Sequence, residues 1–255
     1  MTTAELAKRA ASWNDQYLLT RYALGATAFQ DASLFEVIAA EVNRRGDIYW
    51  NGRGVPGGPA ESVKLWRLAA AQGNAWALEN LGDAYDSGRG VPEDKAESMK
   101  WWRLAAAQGN ASAQFSLGEA YYDGVGVPED EAEGVKWWHL AAAQGDADAQ
   151  TNLGAVYWYG HGVPADQAEG VQWYRLAAAQ GHAVAQYNLG VAYSGGDGVP
   201  EDKAEGVKWY RLAAAQGNAF AQWSLGVAYS NGDGVPADQA EGVKWYRLAA
   251  AQGYA

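Results

Sequence analysis

Residues 189–218, LGVAYSGGDGVPEDKAEGVKWYRLAAAQGN, return at 225–254 as LGVAYSNGDGVPADQAEGVKWYRLAAAQGY, altered only at Gly195/Asn231, Glu201/Ala237, Lys203/Gln239 and Asn218/Tyr254. The same frame runs back through the chain. Pro56, Pro92, Pro128, Pro164, Pro200 and Pro236 stand 36 residues apart, and Pro59 alone falls outside the series. A period of this length marks an array of stacked supersecondary units. Near-identity between neighbouring units points to internal duplication or deliberate design.

Each unit reads as two helices joined by a glycine-rich turn. In the third unit Ala113, Leu117 and Tyr121 fall on one helical face, and Asn110, with its equivalents Asn74, Asp146 and Asn218, occupies the N-cap position. The run Gly124-Val125-Gly126-Val127-Pro128 stops that first helix. Asp130 followed by Glu133 has the spacing of a capping box, repeated at Asp94/Glu97, Asp166/Glu169, Asp202/Glu205 and Asp238/Glu241. The second helix opens there. It carries Ala132, Val135, Trp137, Trp138, Leu140, Ala141 and Ala142, a band too wide for a lone surface helix, and it stops at Gln144-Gly145. It is therefore expected to lie between neighbours. Gly118 and its equivalents Gly82, Gly154, Gly190 and Gly226 sit mid-helix, where glycine costs about 1 kcal/mol relative to alanine, so a close helix approach is expected at them. No period-two strand pattern recurs.

The pattern Leu225-Gly226-x-x-Tyr229-x-x-Gly232-x-Gly234-Val235-Pro236-x-Asp238-x-Ala240-Glu241, followed by Val243-Lys244-Trp245-Tyr246-x-x-Ala249-Ala250-x-Gln252-Gly253, resembles the Sel1-like repeat, a relative of the tetratricopeptide repeat. The resemblance covers residues 45–255 as six tandem units, the last cut short. It implies an all-α fold, an alpha/alpha superhelical solenoid of helix-turn-helix repeats with the first helix of each pair lining a concave surface. It also implies a scaffold or adaptor role in assembling complexes. Residues 1–44 depart from the motif. Glu5–Trp13 and Tyr17–Phe29 read as helices, Asp31 as a cap for a third, and Ala39–Trp50 lines up with a first helix, so the segment reads as an N-terminal helical cap. Arg45 stands where later units have leucine. The chain reaches Tyr254-Ala255 where another first helix would begin, which leaves the last repeat uncapped and suggests end-to-end self-association or a longer array.

Composition narrows the function. The chain is 49% hydrophobic and has thirteen Trp and fifteen Tyr, enough to bury a continuous core dominated by aromatic packing. Its net charge of −11 repels phosphate backbones and anionic lipid, so neither nucleic acid nor a membrane surface is expected as a partner. Without cysteine there are no disulfides, thiolate zinc sites or Cys nucleophile. The N-terminal residues are charged where a signal peptide is apolar, and no uninterrupted apolar run reaches membrane-spanning length, so the cytoplasm is favoured.

The chemical motifs are sparse. Gly52-Arg53-Gly54-Val55-Pro56-Gly57 matches G-x-G-x-x-G, but it follows a helix and holds the repeat proline, so it reads as a turn rather than a dinucleotide cradle. Gly195-Gly196-Asp197-Gly198 offers too few oxygens for calcium. His139, His161 and His182 occupy unrelated positions, so no metal site is read. Asn110-Ala111-Ser112 is a formal glycosylation sequon at a helix cap. Glu129/Asp130 and Glu131/Glu133 complement helix dipoles. No catalytic residue and no cofactor is expected.

Function is expected on first-helix positions that vary between units. Four rows qualify: Trp76, Ser112, Asp148, Val184, Phe220; Glu79, Phe115, Thr151, Tyr187, Trp223; Asp83, Glu119, Ala155, Val191, Val227; and Asp86, Tyr122, Trp158, Ser194, Ser230. The partner-binding candidates are Trp76, Glu79, Asp83, Phe115, Glu119, Tyr122, Thr151, Trp158, Tyr187, Phe220 and Trp223. Aromatics anchor interfaces, and the acidic members fall toward the N-terminal half, so the expected occupant is a protein helix or extended peptide, basic where it meets Glu79 and Asp83. Two other readings remain. The aromatics can instead face neighbouring first helices, leaving a structural spacer or an engineered array without a specific partner. A beta-lactam-binding enzyme is implied by some cysteine-rich relatives, but this chain lacks their Cys.

Overall fold

The computed structural model describes residues 3–14, 17–18, 20–21, 32–51 and 58–254. The helix read over Tyr17–Phe29 falls mostly outside these residues. The Asp31 cap and the Gly52–Gly57 turn with Pro56 fall outside them entirely.

Among the described residues there are thirteen helices and no strand. They are α1 Thr3–Ala11, α2 Ala32–Trp50, α3 Pro59–Ala71, α4 Ala75–Ser87, α5 Lys95–Ala106, α6 Ala111–Asp123, α7 Glu131–Ala143, α8 Ala147–Tyr159, α9 Gln167–Ala179, α10 Ala183–Gly195, α11 Lys203–Ala215, α12 Ala219–Asn231 and α13 Gln239–Ala250. The chain divides into two compact units, Met1–Glu129 and Asp130–Ala255. In the first, α1 packs on α2 and each helix from α2 to α5 packs on its successor. In the second the same succession runs from α7 to α13. First helices also touch the next first helix, α4 on α6 and α8 on α10.

Caps fix where each helix begins. Asn74, Asn110, Asp146 and Asn218 accept the backbone N–H three residues on, and His182 does the same through Nδ1. Asp94, Asp130, Asp166, Asp202 and Asp238 cap the second helices likewise. The capping box is only half built, however. The Asp94, Asp166, Asp202 and Asp238 N–H groups donate to the carbonyls of Tyr85, Tyr157, Tyr193 and Tyr229 on the preceding helix. Four of the box glutamates turn outward instead, Glu97, Glu133, Glu205 and Glu241 pairing with lysines one turn on at 2.6–2.7 Å. Gly196, at φ 76°, closes α10 in the left-handed region where a side chain would be strained.

The core repeats with the sequence. Around α9 and α10 it holds Val171, Tyr174, Ala177, Ala178, Ala185, Leu189 and Ala192. One repeat on, Val207, Tyr210, Ala213, Ala214, Ala221, Leu225 and Ala228 take the same places. Each buried leucine contributes roughly 1.5–3 kcal/mol. Mid-helix glycine lets the pairs close: a Cβ on Gly190 would lie 2.6 Å from the Tyr210 ring and 3.1 Å from the Gly206 carbonyl. Gly82 meets Trp102, Gly154 meets Tyr174 and Gly226 meets Tyr246 in the same way. Leu140 departs from the expected buried band, because it points outward and is half exposed, as are Leu104, Leu176, Leu212 and Leu248.

Two side-chain ladders tie one repeat to the next. Arg67, Arg103, Arg175 and Arg211 donate to the hydroxyls of Tyr85, Tyr121, Tyr193 and Tyr229 on the following first helix. His139 replaces the arginine in one repeat and lies 3.2 Å from the Tyr157 hydroxyl. Buried Gln150, Gln186 and Gln222 donate to the carbonyls of Ala142, Ala178 and Ala214, and accept from Gln180, Gln216 and Gln252.

Candidate functional site

The first helices carry the candidate residues, with different chemistry in the two units. In the first unit Glu79 and Asp83 stand one turn apart on α4. Ser112 Oγ donates to Glu79 Oε1 at 3.0 Å, and Trp102 Nε1 donates to Asp83 Oδ1 at 2.9 Å. Burial, and then the neighbouring Asp83 charge, raise the Glu79 carboxyl from 4.5 to about 7. Burial also raises Asp83, against the opposing Trp102 hydrogen bond. A protonated Glu79 therefore shares its proton with Asp83 near neutrality.

Beside this pair lies a cavity of about 360 Å³ lined by Asp83, Asp86, Lys95, Trp102, Glu119 and Asp123, among others. Lys95 Nζ sits 3.0 Å from Asp86 Oδ1, so the wall remains acidic. Trp76 is half-buried edge-on to Trp66, with ring centroids 6.0 Å apart. Phe115 and Tyr122 are half-buried and Glu119 is exposed.

In the second unit the aromatics gather on α10 and α12. The Tyr187 ring lies 5.9 Å from Tyr210 and 5.7 Å from Phe220. Tyr254 meets Phe220 edge-on at 4.6 Å. Phe220 and Trp223 remain 48% and 44% exposed, well above what a core aromatic shows. Trp223 also borders a cavity of about 260 Å³ with Ser194, Lys203, Tyr210, Ser224 and Asp233. Trp158 packs on Tyr174 at 6.1 Å.

Thr151 is the candidate least available to a partner, being only 7% exposed. Its Oγ1 donates to the Ala147 carbonyl at 2.8 Å and lies 3.0 Å from His182 Nδ1, whose Nε2 is 2.9 Å from Asp148. A hydroxyl, an imidazole and a carboxylate in series invite comparison with a nucleophilic triad. Here the threonine proton is spent on a backbone carbonyl, and His182 Nδ1 accepts the Ala185 N–H at 3.3 Å. The series acts as a helix cap linked to the preceding first helix. No group of three or more His, Asp or Glu side chains among the described residues is arranged to hold a metal. None of their helices is long and apolar enough to cross a membrane.

The Sel1 repeat pattern matches residues 43–74, 77–110, 111–146, 147–182, 183–218 and 219–254, most of the chain. The chain belongs to the Sel1 repeat family. Sel1 repeat proteins generally mediate protein–protein interaction and are generally not enzymes. A crystal structure of a protective antigen from uropathogenic Escherichia coli strains, displaying an SLR fold, is 34% identical with a TM-score of 0.83 over all of this chain. This chain spans 57% of that antigen's length. A Sel1 repeat protein from Oxalobacter formigenes is 29% identical, with a TM-score of 0.76 over 96% of each chain. An immunity protein from Pseudomonas aeruginosa, 20% identical with a TM-score of 0.52 over 84% of this chain and 82% of its own, shares the fold alone. None of the curated proteins matches the chain.

What sequence reading missed is the glutamine clasp. The Gln-Gly pair ending each second helix reads as a stop signal, and only the three-dimensional stacking turns Gln180 toward Gln150 of the preceding repeat.

Proposed function

We propose that this Sel1 repeat protein is an interaction scaffold that holds a helix or extended peptide of a partner protein on its first-helix faces. The observation that carries the reading is the pair Phe220 and Trp223, large aromatics left nearly half exposed, Trp223 beside a cavity, while the second-helix aromatics Trp102, Trp138, Tyr174 and Tyr210 are buried. Exposed aromatics bordering a pocket are where interface energy concentrates. In the first unit, the acidic cavity beside Glu79 and Asp83 favours a basic stretch of the partner. Such a stretch also draws the shared proton off the Glu79–Asp83 pair, because a nearby cation favours the ionised form.

Trp223→Ala tests the proposal. Its ring projects from α12 rather than into the core, so helicity and melting temperature stay within about 2 °C of the parent, as for ordinary surface substitutions. Affinity for a partner isolated on the intact protein falls at least about tenfold. Unchanged affinity would assign the aromatics to packing alone and favour the spacer reading. Tyr187→Ala is the contrasting variant, since its ring is wedged between Tyr210 and Phe220 and its loss lowers stability as well.

A further inference from the structure

One row of the first helices governs how the space above the second helices is filled. It reads Asp86, Tyr122, Trp158, Ser194 and Ser230. Trp158, near the end of α8, packs against the core formed by Val171 and Tyr174 of α9, with its ring centroid 6.1 Å from that of Tyr174 and the planes tilted by 52°. One repeat on, Val207 and Tyr210 hold the places of Val171 and Tyr174, but Ser194 stands in place of the tryptophan. The cavity of about 260 Å³ opens there, with Ser194, Val207, Tyr210, Trp223 and Val227 in its wall. Its lining comes from α10, α11, α12 and the turn that follows α12, all internal to the array. Asp86, likewise smaller than tryptophan, borders the acidic cavity of the first unit.

The molecule itself shows what fits above this tyrosine, because it packs its own tryptophan in the same setting one repeat earlier. Three features favour an aromatic ring over an aliphatic chain. Tyr210 and Trp223 present ring walls. Lys203, in the place of Gln167, lines the cavity with its Nζ 2.9 Å from Asp233 Oδ1 and brings a cation to the face of an entering ring. Ser194 and Ser224 lie within hydrogen-bond reach of the Tyr210 hydroxyl, so the site also offers oxygen acceptors to an indole N–H. The volume falls below the roughly 300–1,000 Å³ of pockets that enclose a whole small molecule. It suits one side chain.

We infer that this cavity takes a tryptophan side chain of the bound protein segment, seated over Tyr210 as Trp158 is seated over Tyr174. The inference rests on the scaffold reading above and fixes where one anchor of the partner enters.

The test pairs a free ligand with a plug. N-acetyl-tryptophanamide titrated into the nitrogen-15-labelled full chain should shift the amide signals of Ser194, Ser224 and Val227 saturably, with a Kd of about 1 mM. N-acetyl-leucinamide should bind at least about fivefold more weakly. Ser194→Trp rebuilds the Trp158 arrangement from within. Its melting temperature should equal or exceed the parent's, and the tryptophan amide should no longer shift Ser224 and Val227. A partner isolated on the intact protein should bind Ser194→Trp at least about tenfold more weakly. The inference is overturned by a lack of saturable shifts in the parent, by equal binding of the leucine amide, by shifts that persist in Ser194→Trp, or by a Ser194→Trp protein that melts below the parent. Partner affinity separates it from the scaffold reading. If Trp223→Ala weakens the partner and Ser194→Trp does not, the scaffold stands and the cavity is not an anchor site. The reverse result keeps the cavity and removes the exposed aromatic pair from the interface, and no loss with either overturns both.

Discussion

Glu79 and Asp83 concentrate the electrostatic cost of the first unit in one turn of helix. Two carboxylates are held near each other and partly out of water, and the folded state answers by keeping a proton on Glu79 up to about pH 7. In the unfolded chain the same group releases it near 4.5. The folded state binds the extra proton, so stability is full below about 4.5 and declines as pH rises toward about 7. Glu79→Gln keeps a donor for Asp83 and an acceptor for Ser112 while removing the charge. We therefore expect the substitution to raise the denaturation midpoint at pH 8 and leave it nearly unchanged at pH 4.5, read from urea melts followed by tryptophan fluorescence. A parallel shift at both pH values would mean that the pair does not share a proton. Sequence reading found both residues and their acidic character but took them as standing charges. The proton on Glu79 is kept by burial, against the donor bonds that Trp102 and Ser112 bring in from α5 and α6, and no spacing along α4 reveals it.

Helix pairs close on glycine, and here the sequence was a good guide. A mid-helix glycine recurring beside a buried leucine demanded a close neighbour, and Gly190 and Gly206 meet one at the crossing of α10 and α11. Helix propensity alone rewards Gly190→Ala by about 1 kcal/mol. The added methyl, however, would stand 2.6 Å from two atoms of the Tyr210 ring, which is itself only 7% exposed. Overpacking of this kind costs about 1–3 kcal/mol, so Gly190→Ala should be net destabilising, by up to about 2 kcal/mol, in chemical denaturation. Stabilisation would show that the α10–α11 spacing yields easily. The capping box was only half legible for the opposite reason. The Asp-to-backbone bond is local and follows from spacing, whereas the Asp202 N–H goes to the Tyr193 carbonyl of the previous helix, a tertiary partner that displaces the glutamate. Leu140 shows the same limit, because an apolar residue on a packed helix can still fall on the outward stripe.

In a stacked array, the energy of a residue depends on whether a neighbour lies over it, so identical repeats need not be equally stable. The fifth and sixth units make this measurable, because residues 206–217 and 242–253 have the same sequence. Val207 lies under α12 at 2% exposure, and Val243 holds the same place on α13 at 43%. Removing two methyl groups from a buried site forfeits about 1.6 kcal/mol of transfer energy and adds the cost of a cavity. Val207→Ala should therefore cost about 2 kcal/mol and Val243→Ala no more than about 0.5 kcal/mol. Amide hydrogen exchange reads the difference locally. Val207→Ala should speed exchange in both α11 and α12, which share that core, whereas Val243→Ala should leave α12 as it was. Exchange in α13 of the parent should already outpace that in α11, since only one side of it is covered. Equal costs at the two valines would mean that each helix pair is stable by itself, and that stacking adds nothing beyond the repeat.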